Sequence, residues 1–313
     1  MLGKTAGGLF WMFRYLERAE NTARMIDAGL RISLTRSSAA ESEWNAILRA
    51  CALDEAYFER YTTTDGAQVV DFLLRDMSHT GSVMSGVEAA RTNARTVRTA
   101  LTREMWEAVN ESYMVLQRVL ALPIAQRDLP RILQMIRQRT AYVRGALHGT
   151  MLRNDMYDFA RIGTFFERAD NTARIIDVKY YILLPSVSMV GSPSDAVQWD
   201  TILRATSAMR AYQTLHDGDT DPRSVTQFLM LDGRLPRSLA FCYNKILDNL
   251  RYLEKDYGER HLCHDLAQQI CRRFEVYDIE AIFDYGLHEF TNDFLRESAQ
   301  LGRQIEIDYR FSE

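Results

Sequence analysis

Residues 17–27 read Glu-Arg-Ala-Glu-Asn-Thr-Ala-Arg-Met-Ile-Asp, and residues 167–177 read Glu-Arg-Ala-Asp-Asn-Thr-Ala-Arg-Ile-Ile-Asp. Nine of the eleven positions are identical across a displacement of 150 residues, and the pairs Glu20/Asp170 and Met25/Ile175 are conservative. A match of that length restricts the chain to folds in which one local structure occurs twice. The repetition continues downstream. Trp44-Asn45-Ala46-Ile47-Leu48-Arg49-Ala50 returns as Trp199-Asp200-Thr201-Ile202-Leu203-Arg204-Ala205 at a displacement of 155. Val69, Phe72, Leu73, Asn93 and Arg95 return as Val225, Phe228, Leu229, Asn249 and Arg251 at 156. The slow growth of the displacement is what small loop insertions produce. We read a single domain over residues 1–313, built from duplicated halves of roughly 1–150 and 151–313 about a pseudo-twofold axis.

The repeated unit is helical. Gly and Pro number only 16 and 6 in 313 residues, and no Asn-Gly or Gly-Gly pair separates alternating apolar runs. Periodicity predicts helices at about 6–35, 40–60, 66–76, 80–99, 102–121, 128–150, 155–184, 194–213, 222–231, 235–257, 260–275 and 279–308. The Ser-, Pro- and Gly-rich stretch 185–195 reads as the clearest loop. The fold class expected is all-α, a helical bundle.

On the helical wheel of the repeat, Glu17, Glu20, Asn21, Arg24 and Asp27 share one arc. Trp11, Tyr15, Ala19, Thr22, Ala23 and Ile26 occupy the other. The second copy places Glu167, Asp170, Asn171, Arg174 and Asp177 in the same way. A solvated face tolerates Lys for Arg and Ser for Asn, yet both copies keep a guanidinium and a mid-helix amide, groups suited to fixed hydrogen bonding. Three readings stay open: a buried polar network joining the halves, an anion-binding site, and an ion-paired surface.

The strings LFWMFRYLERAENTARMID (9–27) and FARIGTFFERADNTARIIDVKYY (159–181) resemble the signature of the bacterial alpha-E family. Glu88-Ala-Ala-Arg-Thr-Asn-Ala-Arg-Thr-Val-Arg, running into LTREMWEAVN, resembles a further stretch typical of it. The likeness spans essentially the whole chain, and the Glu-Arg motif falls at Glu17-Arg18 and Glu167-Arg168. The resemblance implies an all-helical domain without an established catalytic activity. It also implies a setting beside circularly permuted ATP-grasp ligases, transglutaminase-like proteins and amide hydrolases. The partner so implied is an ATP-grasp-type ligase or its peptide product, in small-peptide synthesis or modification.

Other constellations are weaker. Arg91, Arg95 and Arg98 form a basic stripe at helical spacing with Asn93 beside it, either a solvated or ion-paired face or an anion site, which merges with the Glu-Arg helices if the stripe faces them. Gly3-Lys4-Thr5 lacks the upstream glycine and strand of a phosphate-binding loop. His261, Cys263, His264 and Cys271 fit no zinc spacing, and no Glu precedes a His by three residues as a di-iron bundle requires. No metal and no cofactor is expected, and no nucleophile elbow is present. Tyr57, Phe58, Tyr61, Tyr180 and Tyr181 read as core and helix-junction residues.

A net charge of −4 gives no pull toward nucleic acid. Four irregularly spaced cysteines suit a reducing compartment. No apolar run suits a membrane span, and the first residues resemble no secretory signal, so a cytoplasmic location is expected. The leading functional expectation is an accessory or scaffold-type partner of a peptide ligase. The alternative is an enzyme acting on a peptide or amino acid, with Glu17, Glu20, Glu167 and Asp170 as acid/base groups and Arg24, Arg91 and Arg174 as carboxylate clamps. A purely structural homo-oligomer is the third.

Overall fold

The computed structural model describes residues 2–35, 40–182, 193–216 and 220–312, with side chains omitted for residues 32–42 and 179–197. The described residues are helical, with no strand among them. The first half comprises α1 (Gly3–Thr35), α2 (Ala40–Ala50), α3 (Asp54–Phe58), α4 (Gly66–Leu74), α5 (Val83–Thr96), α6 (Arg103–Val119) and α7 (Leu129–Thr150). The second comprises α8 (Asp155–Ile182), α9 (Pro193–Ala205), α10 (Met209–Leu215), α11 (Pro222–Leu231), α12 (Leu239–Tyr257), α13 (Leu262–Val276), α14 (Ile279–Tyr285) and α15 (Leu287–Asp308). No described helix is long and apolar enough to cross a membrane.

Helix starts follow side-chain chemistry. Asp65, Ser82, Thr102, Asp221, Ser238 and Asp278 each accept a hydrogen bond from a first-turn amide of the helix that follows. Three expected helices are broken. Residues 40–60 divide into α2 and α3, residues 194–213 into α9 and α10, and residues 279–308 into α14 and α15 at Gly286, whose φ is 105°. The first two breaks share one geometry. Ala52 (φ 55°) and Ser207 (φ 57°) adopt the left-handed conformation. The Leu53 amide donates to the Leu48 carbonyl at 2.9 Å, and that of Ala52 to Arg49 at 2.8 Å; Ala208 to Leu203 (2.7 Å) and Ser207 to Arg204 (3.0 Å) repeat the pattern. Glycine usually signals such a stop, and neither site has one, so periodicity ran through it. A left-handed L-residue costs about 1–2 kcal/mol, which burial of the short helices beyond offsets. Tyr57 and Tyr212 are buried there, edge-on to Phe72 and Phe228 and stacked on Tyr61 and His216. Phe58 is exposed, and the Tyr180 and Tyr181 side chains lie outside the described residues. Of the expected loop 185–195, residues 185–192 also lie outside them, and α9 already begins at Pro193.

Buried apolar residues from Ala6 to Ile305 form one contiguous core. At its centre α1 packs against α8; α1 also contacts α5 and α7, and α8 contacts α12 and α15. Both long helices are therefore covered on several sides. Gly163 of α8 lies against the Phe10 backbone of α1, where an added Cβ would fall 3.0 Å from the Phe10 carbonyl carbon and closer still to its oxygen.

Candidate functional site

The close approach of α1 and α8 brings the two Glu-Arg motifs face to face, and they pair crosswise. The Arg18 guanidinium donates to Glu167 through Nε (2.5 Å) and Nη2 (2.9 Å). Arg168 donates to Glu17 through Nε (2.8 Å) and Nη2 (3.1 Å). Each arginine thus presents its planar fork to the carboxylate of the other helix, the geometry that gives bidentate pairs their strength and orientation.

Further cations close the network. Arg14 donates to Glu167 at 2.9 Å while lying 4.6 Å from the Trp11 ring and 5.0 Å from that of Phe166. Arg237, which directly precedes the N-cap of α12, meets Glu17 (3.1 Å), Glu20 (3.0 Å) and the Asn21 amide oxygen (2.8 Å). Its segment is held in place because the Thr172 hydroxyl donates to the Arg237 carbonyl (2.9 Å) and Arg168 to that of Pro236 (3.2 Å). From α7, Arg144 reaches Glu20 and Glu17, and the Thr140 hydroxyl donates to Glu20 at 2.9 Å. Arg24 grips Glu20 at 2.7 and 3.0 Å and extends to the Ser207 hydroxyl.

All six oxygens of Glu17, Glu20 and Glu167 are engaged. Glu17 and Glu20 are only 1% exposed. Burial alone would raise their pKa values, but the guanidiniums of Arg168 and Arg237 at Glu17, and of Arg237, Arg144 and Arg24 at Glu20, outweigh it and hold both ionised. Glu167 is drawn down to about 2 by Arg18 and Arg14 against the same burial. Arg237 goes the other way, to about 10, because burial disfavours its charge. Six guanidiniums meet three carboxylates, leaving an excess of three positive charges.

The two copies of the motif differ around this centre. Asp170, at the place of Glu20, is only part-buried and pairs with Arg174 of its own helix at 2.8 Å. Asn171 is half-buried, whereas Asn21 is buried and its amide nitrogen has no partner. Sequence reasoning missed Arg14, Thr140, Arg144 and Arg237. Thr140 and Arg144 carried a signal, a polar pair at i, i+4 on the core-facing stripe of α7. Arg237 carried none, since the repeat places Gly81 opposite it.

The basic stripe does not join the network. Arg91 donates to the Asn110 side chain (2.8 Å) and lies over the Tyr113 ring (4.6 Å), Arg98 lies over Trp106 (5.4 Å), Arg95 is exposed, and Asn93 is half-buried. The condition for a merger with the Glu-Arg helices is not met: Arg91 and Arg98 lie over aromatic rings of α6. Loss of solvation pushes the Cys51, Cys242 and Cys271 thiols up to about 12, away from the thiolate form. His264 is buried, with Nε2 3.1 Å from the Leu250 carbonyl and Nδ1 3.1 Å from the His261 amide.

Asp158 gave no sequence signal. Its carboxyl faces a cleft of about 380 Å³ lined by Arg153, Tyr157, Arg161, Lys245, Asp248 and Asp256. Burial, then Asp256 and Asp155, push its pKa up to about 7 against the pull of Arg161. The ordinary value is 3.8, so between pH 4 and 7 the native chain holds a proton that the unfolded chain has released. Its contribution to stability is therefore greatest at low pH and is lost as pH rises through 7. Asp158→Asn is expected to raise the melting temperature at pH 8 and leave it nearly unchanged at pH 4. An equal increment at both pH values in thermal melts would refute this.

The family model Alpha-E, described as a predicted alpha-helical domain with a conserved ER motif, matches residues 1–309. No curated protein and no solved structure matches the chain. The crossed pairs Arg18–Glu167 and Arg168–Glu17 give that motif a physical role in this chain, which belongs to the Alpha-E family.

Proposed function

We propose that this chain is a non-catalytic scaffold whose Glu-Arg helices lock two duplicated halves, roughly 1–150 and 151–313, about a pseudo-twofold axis. The reciprocal Arg18–Glu167 and Arg168–Glu17 pairs, the matching left-handed stops at Ala52 and Ser207, and the core shared by both halves support that arrangement. The observation that carries the non-catalytic reading is the engagement of every carboxylate oxygen of Glu17, Glu20 and Glu167. A general acid or base needs a proton in play near neutral pH, and these groups are paired and ionised. The network then fixes the shape of a helical surface.

The occupant of that surface follows from the family resemblance: an ATP-grasp-type ligase or its peptide product, in the synthesis or modification of small peptides in the cytoplasm. The purified chain is expected to co-elute with an ATP-grasp ligase of the kind the resemblance implies in size-exclusion chromatography and to change that enzyme's yield of amide product. Separate elution at micromolar concentrations, together with an unchanged yield, would overturn the scaffold assignment.

A further inference from the structure

Arg24 is one of the places where the buried network reaches the surface. Beyond it opens a pocket of about 280 Å³ lined by Arg24, Asp27, Arg31, Arg137, Arg204, Ser207, Met209 and Arg210. Its lining carries five guanidiniums and one carboxylate. Asp27 is shared by Arg31 (3.5 Å) and Arg137 (3.3 Å), and Arg24 is fixed by Glu20 and Ser207. Arg204 and Arg210 line the pocket from the two sides of the left-handed Ser207 stop, and both are exposed. The charge that converges here comes from α1, α7 and the α9–α10 corner, three separate elements held at fixed distances by the core.

We propose that this pocket binds a phosphoryl group, as free phosphate or as the monoester of a small molecule. Guanidiniums approaching from three directions suit a tetrahedral dianion with several acceptor oxygens. A carboxylate offers two oxygens in one plane, and Asp27 already supplies one such group to Arg31 and Arg137. The chain contains its own comparison. At the displacements of the repeat, Arg204, Met209 and Arg210 correspond to Arg49, Asp54 and Glu55. There Arg49 pairs with Asp54 at 3.6 Å, and Asp177, the counterpart of Asp27, is bonded to His288 at 2.5 Å. One copy has balanced its charge and the other has accumulated arginine, so the excess is a property of this corner and not of the repeated helix. This inference does not depend on the ligase partnership.

Isothermal titration with inorganic phosphate at constant ionic strength is expected to give one saturable site per chain, weakening as chloride is raised. Arg204→Glu with Arg210→Glu is expected to weaken binding at least tenfold while the far-ultraviolet circular dichroism and melting temperature stay close to the parent, since both side chains are exposed. Arg210→Gln alone is expected to weaken it less, and Arg49→Glu to leave it unchanged. Glycerol phosphate binding tighter than inorganic phosphate identifies an ester as the ligand, and the reverse order identifies free phosphate. The proposal is overturned if phosphate gives no saturable signal, if acetate binds as tightly, or if the double variant binds like the parent.

Discussion

Glu17→Gln is expected to destabilise the protein by about 3–5 kcal/mol, as removal of one partner from a buried ion pair does. The substitution keeps the shape and removes the charge. It leaves Arg237 and Arg168, which are 8% and 12% exposed, facing an amide that can accept only part of what the carboxylate accepted. The cost comes from the orphaned guanidiniums and not from the pair's net worth. Replacing Glu167 and Arg18 together by Met is accordingly expected to cost less than the two single changes added, because Arg18 is then not left facing a missing carboxylate and the charge that loses its partner is that of Arg14, which also lies against the Trp11 and Phe166 rings. Urea denaturation of the four proteins of that cycle measures the coupling directly.

Acid provides an independent check on the same network. The Glu167 carboxyl, with an ordinary value of 4.5, titrates at about 2 in the folded chain. Its stabilisation is therefore complete above pH 4.5 and is lost as pH falls toward 2. Glu167→Gln is expected to remove that part of the acid limb. If Glu17→Gln falls within 1 kcal/mol of the parent, the network is not the lock described here.

Gly163→Ala is expected to cost about 1–3 kcal/mol or more, the range for forced overpacking, with the upper end favoured because the obstacle is backbone. The new methyl would press on the Phe10 carbonyl of α1, which no side-chain rotation can relieve. Separating α1 from α8 would also lengthen both crossed pairs, so the variant should lose part of the electrostatic coupling between Arg18 and Glu167. Gly145→Ala on α7 is the matched control. Nothing lies within 4 Å of a Cβ at Gly145, and the gain in helix propensity should stabilise by about 0.4–1 kcal/mol. Equal effects of the two substitutions in thermal denaturation would show that the crossing is not tight.

The helices were legible because the caps and the 3.6-residue apolar period are local. The stops at Ala52 and Ser207 were not, since what fixes a left-handed residue without glycine is the burial of Tyr57 and Tyr212 beyond it. The wheel of the repeat separated an apolar arc from a polar one but could not say what the polar arc faces. Glu17 and Glu20 look like solvated residues until α7, α8 and the Arg237 segment are placed around them. Gly163 was equally silent, because its counterpart in the repeat is Phe13 and the pattern gives no reason for a small residue on one side alone.

By itself, the sequence determined that the chain is helical, that a charged helix occurs twice, and that this helix carries the Alpha-E motif. Those properties are written in neighbouring residues, where backbone hydrogen bonding and side-chain period act over a few positions. Only the tertiary structure decided that each motif's Glu answers the Arg of the other copy and that Arg237 meets Glu17, Glu20 and Asn21. The same holds for Arg24, Arg204 and Arg210 meeting in one pocket. Charges pair by distance in space, and residues 149 or more positions apart come within reach only once the core has closed.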